Sequence, residues 1–533
     1  YNIAFGKEVG KCITSGTNNI LIGRCIWGNT AITGSFNTTI GYKAGHCLTS
    51  GSYNNILGYT AGSKNSTGER NNFFGLSAGK ENTSGGCNNF IGMSAGQCNT
   101  DGDNNTFMGK YAGCANTTGC CNVFIGTYAG KAAATGCDNI FLGSFAGGGG
   151  TQAGSDNIFL GKYSGMSVTD GKENVFLGKC SGYDNSTGCA NVYLGCQSAQ
   201  NATTGCYNVF LGACSAGLGA VTGRSNVAIG CEAGKSLTSG DNNVFLGRCA
   251  GGNGTITGND NIAFGFGSGK SITSGANNLF FGNQTASSGT VTGSNNIALG
   301  CKSGQALTSG TYNLLFGAFA GKSLETGDHN FFGGYQAGCQ STGCYNVFLG
   351  RHAGRSFTSG NQNVYIGNCA GGQTGTKTGS SNIAIGVAAG ASGSSNFSQN
   401  VFLGHYSAAS GNSTGHGNAF LGAYTGNSLT SGCCNIFIGK CAGNTNTSGN
   451  FNVAIGVDVE LPSATGNGQF AIGCGTNRWL TGDSSYNVTV STASTFSNDG
   501  LNVTGVVTAT SFEGDGSNLT GVSSPASNGE FFT

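Results

Sequence analysis

The phrase Asn174-Val175-Phe176-Leu177-Gly178 returns along the chain at a nearly constant step, and that recurrence limits the fold more than any other feature. It comes back with small changes at Asn191 to Gly195, Asn208 to Gly212, Asn226 to Gly230 and Asn243 to Gly247. Its closing glycine can be followed from Gly6 to Gly473 through 28 copies, a mean step of about 17 residues. A period this short marks a solenoid, in which one repeat is one coil and only stacking buries its apolar side. The expectation is an all-β chain: a parallel β-solenoid (β-roll) of about 28 coils of about 17 residues. Residues 1–490 form the rod, and residues 491–533 a short non-repeat tail.

Within a coil, the Val/Ile/Leu/Phe run between Asn and Gly reads as a short strand, and helical spacing is absent. Two short strands and two bends are expected per coil, with three glycine slots supplying positive φ. A small residue three places after the closing glycine (Ala44, Ala61, Ala78, Ala95) fits a tight inner corner. Coils stacked about 4.8 Å apart make a rod on the order of 130 Å long. The opening Asn is kept in every copy except at Gln469, which marks it as structural. Asn174, Asn191, Asn208, Asn226 and Asn243 are predicted to form a ladder of amides bonded coil to coil.

Residues one and three after Asn share one face of the strand, and the residue between them points the opposite way. That middle slot holds Phe73, Phe90, Phe107, Phe124, Phe141, Phe159, Phe176, Tyr193, Phe210 and Phe245. A strand apolar on both faces should be buried on both, while a thin coil covers only one. We expect the aromatic flank to face outward as a self-association stripe, covered by copies of the same chain about a shared axis, a homotrimer. The opposite arrangement is a fatter coil with Phe inside and Val/Leu outside. A further slot, seven after the glycine, alternates between Leu48, Leu237, Ile272 or Leu307 and Asn65, Asn82, Asn116, Asn185 or Asn446. Those five asparagines open Asn-x-Ser/Thr sequons and are candidate N-glycosylation sites. Other sequons open at Asn37, Asn201, Asn253, Asn283, Asn396, Asn412, Asn487, Asn502 and Asn518.

The 24 cysteines form no Cys-x-x-Cys cluster, so zinc is not expected, and no cofactor is implied. Cys180, Cys196, Cys214, Cys231 and Cys249 sit one or two residues after the glycine in five consecutive coils. Cys189 and Cys206 share another slot, as do Cys120 and Cys137. Stacked coils bring such positions within disulfide reach, so these are candidate staples in an oxidising setting, or else small apolar filler.

Charged residues are 8% of the chain and the net charge is +1, leaving no basic stripe for nucleic acid. No run of about 18 apolar residues exists to span a membrane. Acids are sparse and scattered, and the five histidines fall in different coils, so no carboxylate pair or catalytic constellation is legible. A Thr/Ser row at a bend does not suggest an ice-binding plane. Tyr1 lies almost inside a repeat, so the array is expected to continue upstream. Ile26-Trp27-Gly28 replaces the usual corner and predicts a protrusion, and Trp479 with Tyr486 to Val490 predicts a capping strand with an aromatic lid.

The run Asn-x-Ala-Ile-Gly-x-x-Ala (Asn226 to Ala233, Asn382 to Ala389) resembles the head repeats of trimeric autotransporter adhesins. In that family each chain is a parallel β-roll and three rolls pack about one axis. The segment Val507 to Gly521 resembles tail-fibre and surface-fibre proteins of aquatic bacteriophages and large viruses. These likenesses imply a non-enzymatic structural fibre, extracellular or on a virion surface, that attaches to a host or its surface glycans. The alternative is a subunit of a self-polymerising extracellular filament.

Overall fold

The computed structural model describes residues 1–490 except 28–30, 373–374, 392–395, 411–413 and 486. The tail of residues 491–533 lies outside the described residues. One strand recurs per coil, from β1 (Ile3–Lys7) and β2 (Ile20–Arg24) to β28 (Phe470–Cys474), and each pairs in parallel with the next. The fold is an all-β parallel solenoid of about 27 turns of about 17 residues, with no helix among the described residues. Register is strict: Val175, Phe176 and Leu177 of β11 (Val175–Leu177) lie opposite Val192, Tyr193 and Leu194 of β12 (Val192–Leu194).

The expected second strand is absent from the described coils. The rest of each coil is a chain of turns whose amides bond to the adjacent coil, as Thr83 N–H does to the Thr100 carbonyl at 2.9 Å. Only isolated bridges such as Leu237↔Ile256 mark where another strand would run. Two glycine slots do supply positive φ, as at Gly178 (φ 137) and Gly182 (φ 58). The third, Gly188, lies outside the positive-φ set, and a Cβ there would meet the Gly205 carbonyl of the next coil. Close stacking, not backbone handedness, selects glycine at that slot. Two more corners per coil are left-handed and mostly without glycine, as at Glu173 (φ 58) and Cys180 (φ 55). Such a conformation costs an L-residue roughly 1 kcal/mol, which the inter-coil hydrogen bonds offset.

The interior is filled by three side chains per coil: the middle strand residue, the small residue of the first corner, and the residue seven after the glycine. In many coils their volumes compensate, although Phe348 with Phe357 and Phe420 with Leu429 pair two large side chains. Phe73, Phe90 and Phe107 share their coils with Asn82, Asn99 and Asn116, whereas Ala228, Ala263 and Ala298 share theirs with Leu237, Ile272 and Leu307, and all twelve are fully buried. The rings stack at the strand spacing, Phe107 on Phe124 at 4.8 Å and Phe159 on Phe176 at 4.9 Å between centroids. Among the described residues, one interior side chain is a lysine. Lys377 is fully buried where other long coils place Ile256 or Val291. Its Nζ donates to the Gly390 carbonyl at 3.1 Å, and burial pulls its pKa down to about 7.

Of the two predicted irregularities the protrusion is not found, and the capping strand is present without its aromatic lid, Tyr486 lying outside the described residues. Ile26 and Trp27 do not protrude; they turn inward and pack with Leu21, Ile32 and Leu48 as a small core of their own. At the other end β28 pairs antiparallel with β29 (Asn477–Gly482), and β29 with β30 (Val488–Val490). This hairpin covers the edge of the parallel stack, but Trp479 is 61% exposed and so is no lid.

Candidate functional surface

The aromatic row is not a surface. Phe73, Phe90, Phe107, Phe124, Phe141, Phe159, Phe176, Tyr193, Phe210 and Phe245 are each 0% exposed within the single chain. The reason is geometric. The glycine four places after the closing glycine leaves room for the ring: a Cβ on Gly96 would collide with Phe90, and one on Gly182 with Phe176. With the ring inside, the residues on either side of it must point out. Leu177 and Leu194 are each 40% exposed, Phe281 50% and Ile436 45%. The outer face is therefore two apolar columns wide. From β8 (Val123–Ile125) to β28 those columns hold Val, Ile, Leu, Phe or Ala, with Gly333 the single gap and no polar residue. In the five coils before β8 the first column is polar, with Thr38, Asn55, Asn72, Asn89 and Thr106, and the Asn55 amide donates to Asn72 at 2.9 Å.

Two further columns edge this face. The residue immediately after the closing glycine is Lys7, Arg24, Lys110, Lys162, Lys179, Arg248, Arg351 or Lys440 in eight coils and is never Asp or Glu. On the other edge, the residue before the opening Asn is Asp138, Asp156, Glu173 or Asp260 in four coils, with Arg70 the one base. All of these charged residues are exposed. The strip is thus apolar along its middle, basic on one edge and acidic on the other.

Asparagines behind this face hold the coils in register. The Asn174 carbonyl oxygen accepts from the backbone N–H and the amide of Asn191, both at 3.1 Å. The Asn174 amide also donates to the Gly188 carbonyl at 2.8 Å. Asn208, Asn226 and Asn243 repeat the arrangement, each accepting the next coil's backbone N–H at 2.9–3.0 Å. Only a primary amide of this reach both accepts and donates here, which explains the near-invariance of the slot. Gln469 ends the row by turning its amide back to the Ser463 carbonyl at 3.1 Å.

A second polar ladder runs through the residue two before Asn. Its side chain accepts the backbone N–H of the same slot one coil earlier: Ser52 from Ser35 at 3.1 Å, Asn259 from Asp241 at 2.8 Å, Asn361 from Cys344 at 2.7 Å. Cysteine serves there as one more acceptor. Cys120 N–H donates to Cys137 Sγ, and Cys189 N–H to Cys206 Sγ, both at 3.1 Å. The Cys120 and Cys137 sulfurs are 2.8 Å apart, and the hydrogen bond between them pushes the Cys120 thiol up to about 12. Burial, then Cys206, pushes Cys189 up to about 11. Cys180, Cys196, Cys214, Cys231, Cys249, Cys189 and Cys206 are free thiols, so the structure holds none of them as a staple. The recurrence of Ser, Asp, Asn and Cys at one slot was the available signal for this ladder.

The five sequon asparagines of the seventh slot are inside. Asn65, Asn82, Asn116, Asn185 and Asn446 are each 0% exposed, so no sugar can be attached to the folded chain at these positions. Asn82 donates instead to the Asn65 carbonyl oxygen at 3.0 Å and to the Gly85 carbonyl at 2.9 Å. Asn37 is likewise buried, Asn201 half-buried, and Asn253, Asn283, Asn396 and Asn487 exposed. Asn412, Asn502 and Asn518 lie outside the described residues. His329 stacks between Tyr312 and Tyr345 at 5.0 and 4.9 Å, in the column of residues that precede the opening Asn. Compared with known protein families, curated proteins and solved structures, the chain matches none.

Proposed function

We propose that this chain is a structural fibre on a virion or cell surface: a rigid rod, assembled as a homotrimer, that carries an attachment surface toward a host or its surface glycans. One observation supports this above the rest. The stack runs about 27 turns with the middle strand residue buried in each coil from Leu21 to Ala471 and its register held by continuous amide ladders. Each coil bonds only to its neighbours, so stiffness accumulates along the axis and the product is a long, narrow body. Nothing in the reading requires catalysis; the recurring polar groups are spent on holding coils together. The pairing of β28 with β29 favours a rod of fixed length over a filament grown end to end from parallel edges.

Electron micrographs of the isolated protein test the rod, which should be on the order of 130 Å long; a compact particle would sink it. Beads coated with the protein test the attachment role. They should adhere to host cells or glycan-bearing surfaces and be displaced by soluble rods, and a failure to bind any such surface removes that role while leaving the rod.

A further inference from the structure

We infer that the outer strand face from β8 to β28 is where a second copy of this chain packs, parallel and in register with the first. The inference rests on the fibre reading and specifies which surface the copies share and how they are oriented. Three observations carry it.

The first is area. The strip of 21 strands is about 100 Å long and about 10 Å wide, about 1,000 Å² on each copy. That exceeds the roughly 300–600 Å² that a soluble monomer leaves exposed, and passes the roughly 800 Å² per partner of a stable interface. The second is chemistry. Forty-one of the strip's side-chain positions are apolar and one is glycine, so no polar group would be stranded when water leaves. A regularly spaced apolar strip this long best matches another strip of the same pitch, and the same chain supplies one.

The third is charge, and it selects the orientation. When one copy is rotated by half a turn about the long axis and laid face to face, both chains run the same way. The basic edge of each then lies against the acidic edge of the other. Rotation about the transverse axis gives antiparallel chains, and basic edge meets basic edge. The in-register parallel arrangement is favoured further because two consecutive coils carry both partners: Lys162 with Asp156, and Lys179 with Glu173. Lys162 of one copy would then face Asp156 of the other, and Lys179 would face Glu173. Two or three copies about one axis satisfy the pattern equally, since every basic edge still meets an acidic one.

Sedimentation under reducing conditions provides the test, on the full chain and three variants. The wild type should sediment as a multimer. Replacing Leu177→Lys, Leu194→Lys and Leu211→Lys together should give single chains with unchanged β-sheet circular dichroism, because these side chains lie outside the coil. Lys162→Glu with Lys179→Glu should weaken association by roughly tenfold at low salt, less at high salt. Adding Asp156→Lys and Glu173→Lys to that variant should restore it, an outcome that only parallel in-register packing allows. A wild type that sediments as a single chain, a triple-lysine variant that stays assembled, or a fourfold charge reversal that fails to recover would each overturn the interface. Micrographs of the same samples separate the two readings: single full-length rods would end the interface and keep the fibre, whereas compact particles would end the fibre.

Discussion

The coils of Phe73, Phe90 and Phe107 and those of Ala228, Ala263 and Ala298 share one backbone course but differ inside and out. In the first set the inner seventh slot holds Asn82, Asn99 and Asn116, and the strand opens outward with Asn72, Asn89 and Thr106. In the second set the same places hold Leu237, Ile272 and Leu307, and Val227, Ile262 and Ile297. Inside, an amide ladder beside a ring stack and a Leu/Ile column beside alanine are two solutions of similar volume. Outside, the exchange of Asn and Thr for Val and Ile changes what the surface can bind. The coil backbone is therefore indifferent to chemistry at these slots so long as volume and hydrogen bonding close.

That comparison can be tested by substitution. The largest effect is expected where a buried ring of the first kind of coil is removed. Phe90→Ala and Phe176→Ala should each cost about 3–5 kcal/mol, against under about 1 kcal/mol for Leu177→Ala in the single chain. Hydrogen exchange of the affected coils reads the difference, and equal losses at Phe176 and Leu177 would contradict the assignment of faces. Next is the interior lysine. An unfolded lysine titrates near 10.4, whereas Lys377 in the fold has its pKa pulled down to about 7 by burial. Above about pH 10.4 both states are neutral and no penalty exists. As pH falls from there to about 7, the unfolded chain takes up a proton that the fold does not, and stability drops by on the order of 3–5 kcal/mol. Lys377→Met should abolish this slope, visible as melting curves of variant and wild type that diverge between pH 10 and 7. A smaller effect is expected in the amide column. Asn82→Leu alone should cost about 1–3 kcal/mol by orphaning its neighbours. Changing Asn65, Asn82, Asn99 and Asn116 together to Val, which already shares a coil with a buried ring at Phe159 and Val168, should be nearly neutral, since Gly68 and Gly85 still accept from Asn54 and Asn71. A large loss in the quadruple variant would show that the two interiors are not equivalent. The smallest is Ser94→Gly at a left-handed corner (φ 56), which should stabilise its coil by about 0.5–1 kcal/mol on denaturant titration.

Much of this was legible in the residues. The period set the solenoid, the recurrent Asn its ladder, and the glycine rows its corners. What failed was the sign of the strand's two faces, because both are apolar and alternation alone does not say which is inside. The missing signal was covariation within a coil: Phe176 goes with Asn185 and Tyr193 with Ala202, while Ala228 goes with Leu237 and Ala263 with Ile272. Residues that trade volume must share one cavity, and that places Phe opposite the seventh slot. The same oversight produced the sequon assignments, since Asn65 and Asn82 occupy that cavity. Charges that look scattered along the chain separate into opposite edges only when sorted by place in the coil, as Lys162 and Asp156 do. The second strand was over-read because glycine and threonine at those corners bond coil to coil without extended pairing.

The ladders tolerate steps of 16 to 19 residues between successive asparagines, as from Asn330 to Asn346, Asn174 to Asn191, Asn208 to Asn226 and Asn363 to Asn382. Extra residues are absorbed at a corner and leave the rungs aligned. A gene encoding such a chain can gain or lose whole coils by unequal recombination and still yield a sound shaft, so reach becomes a trait that selection tunes one rung at a time.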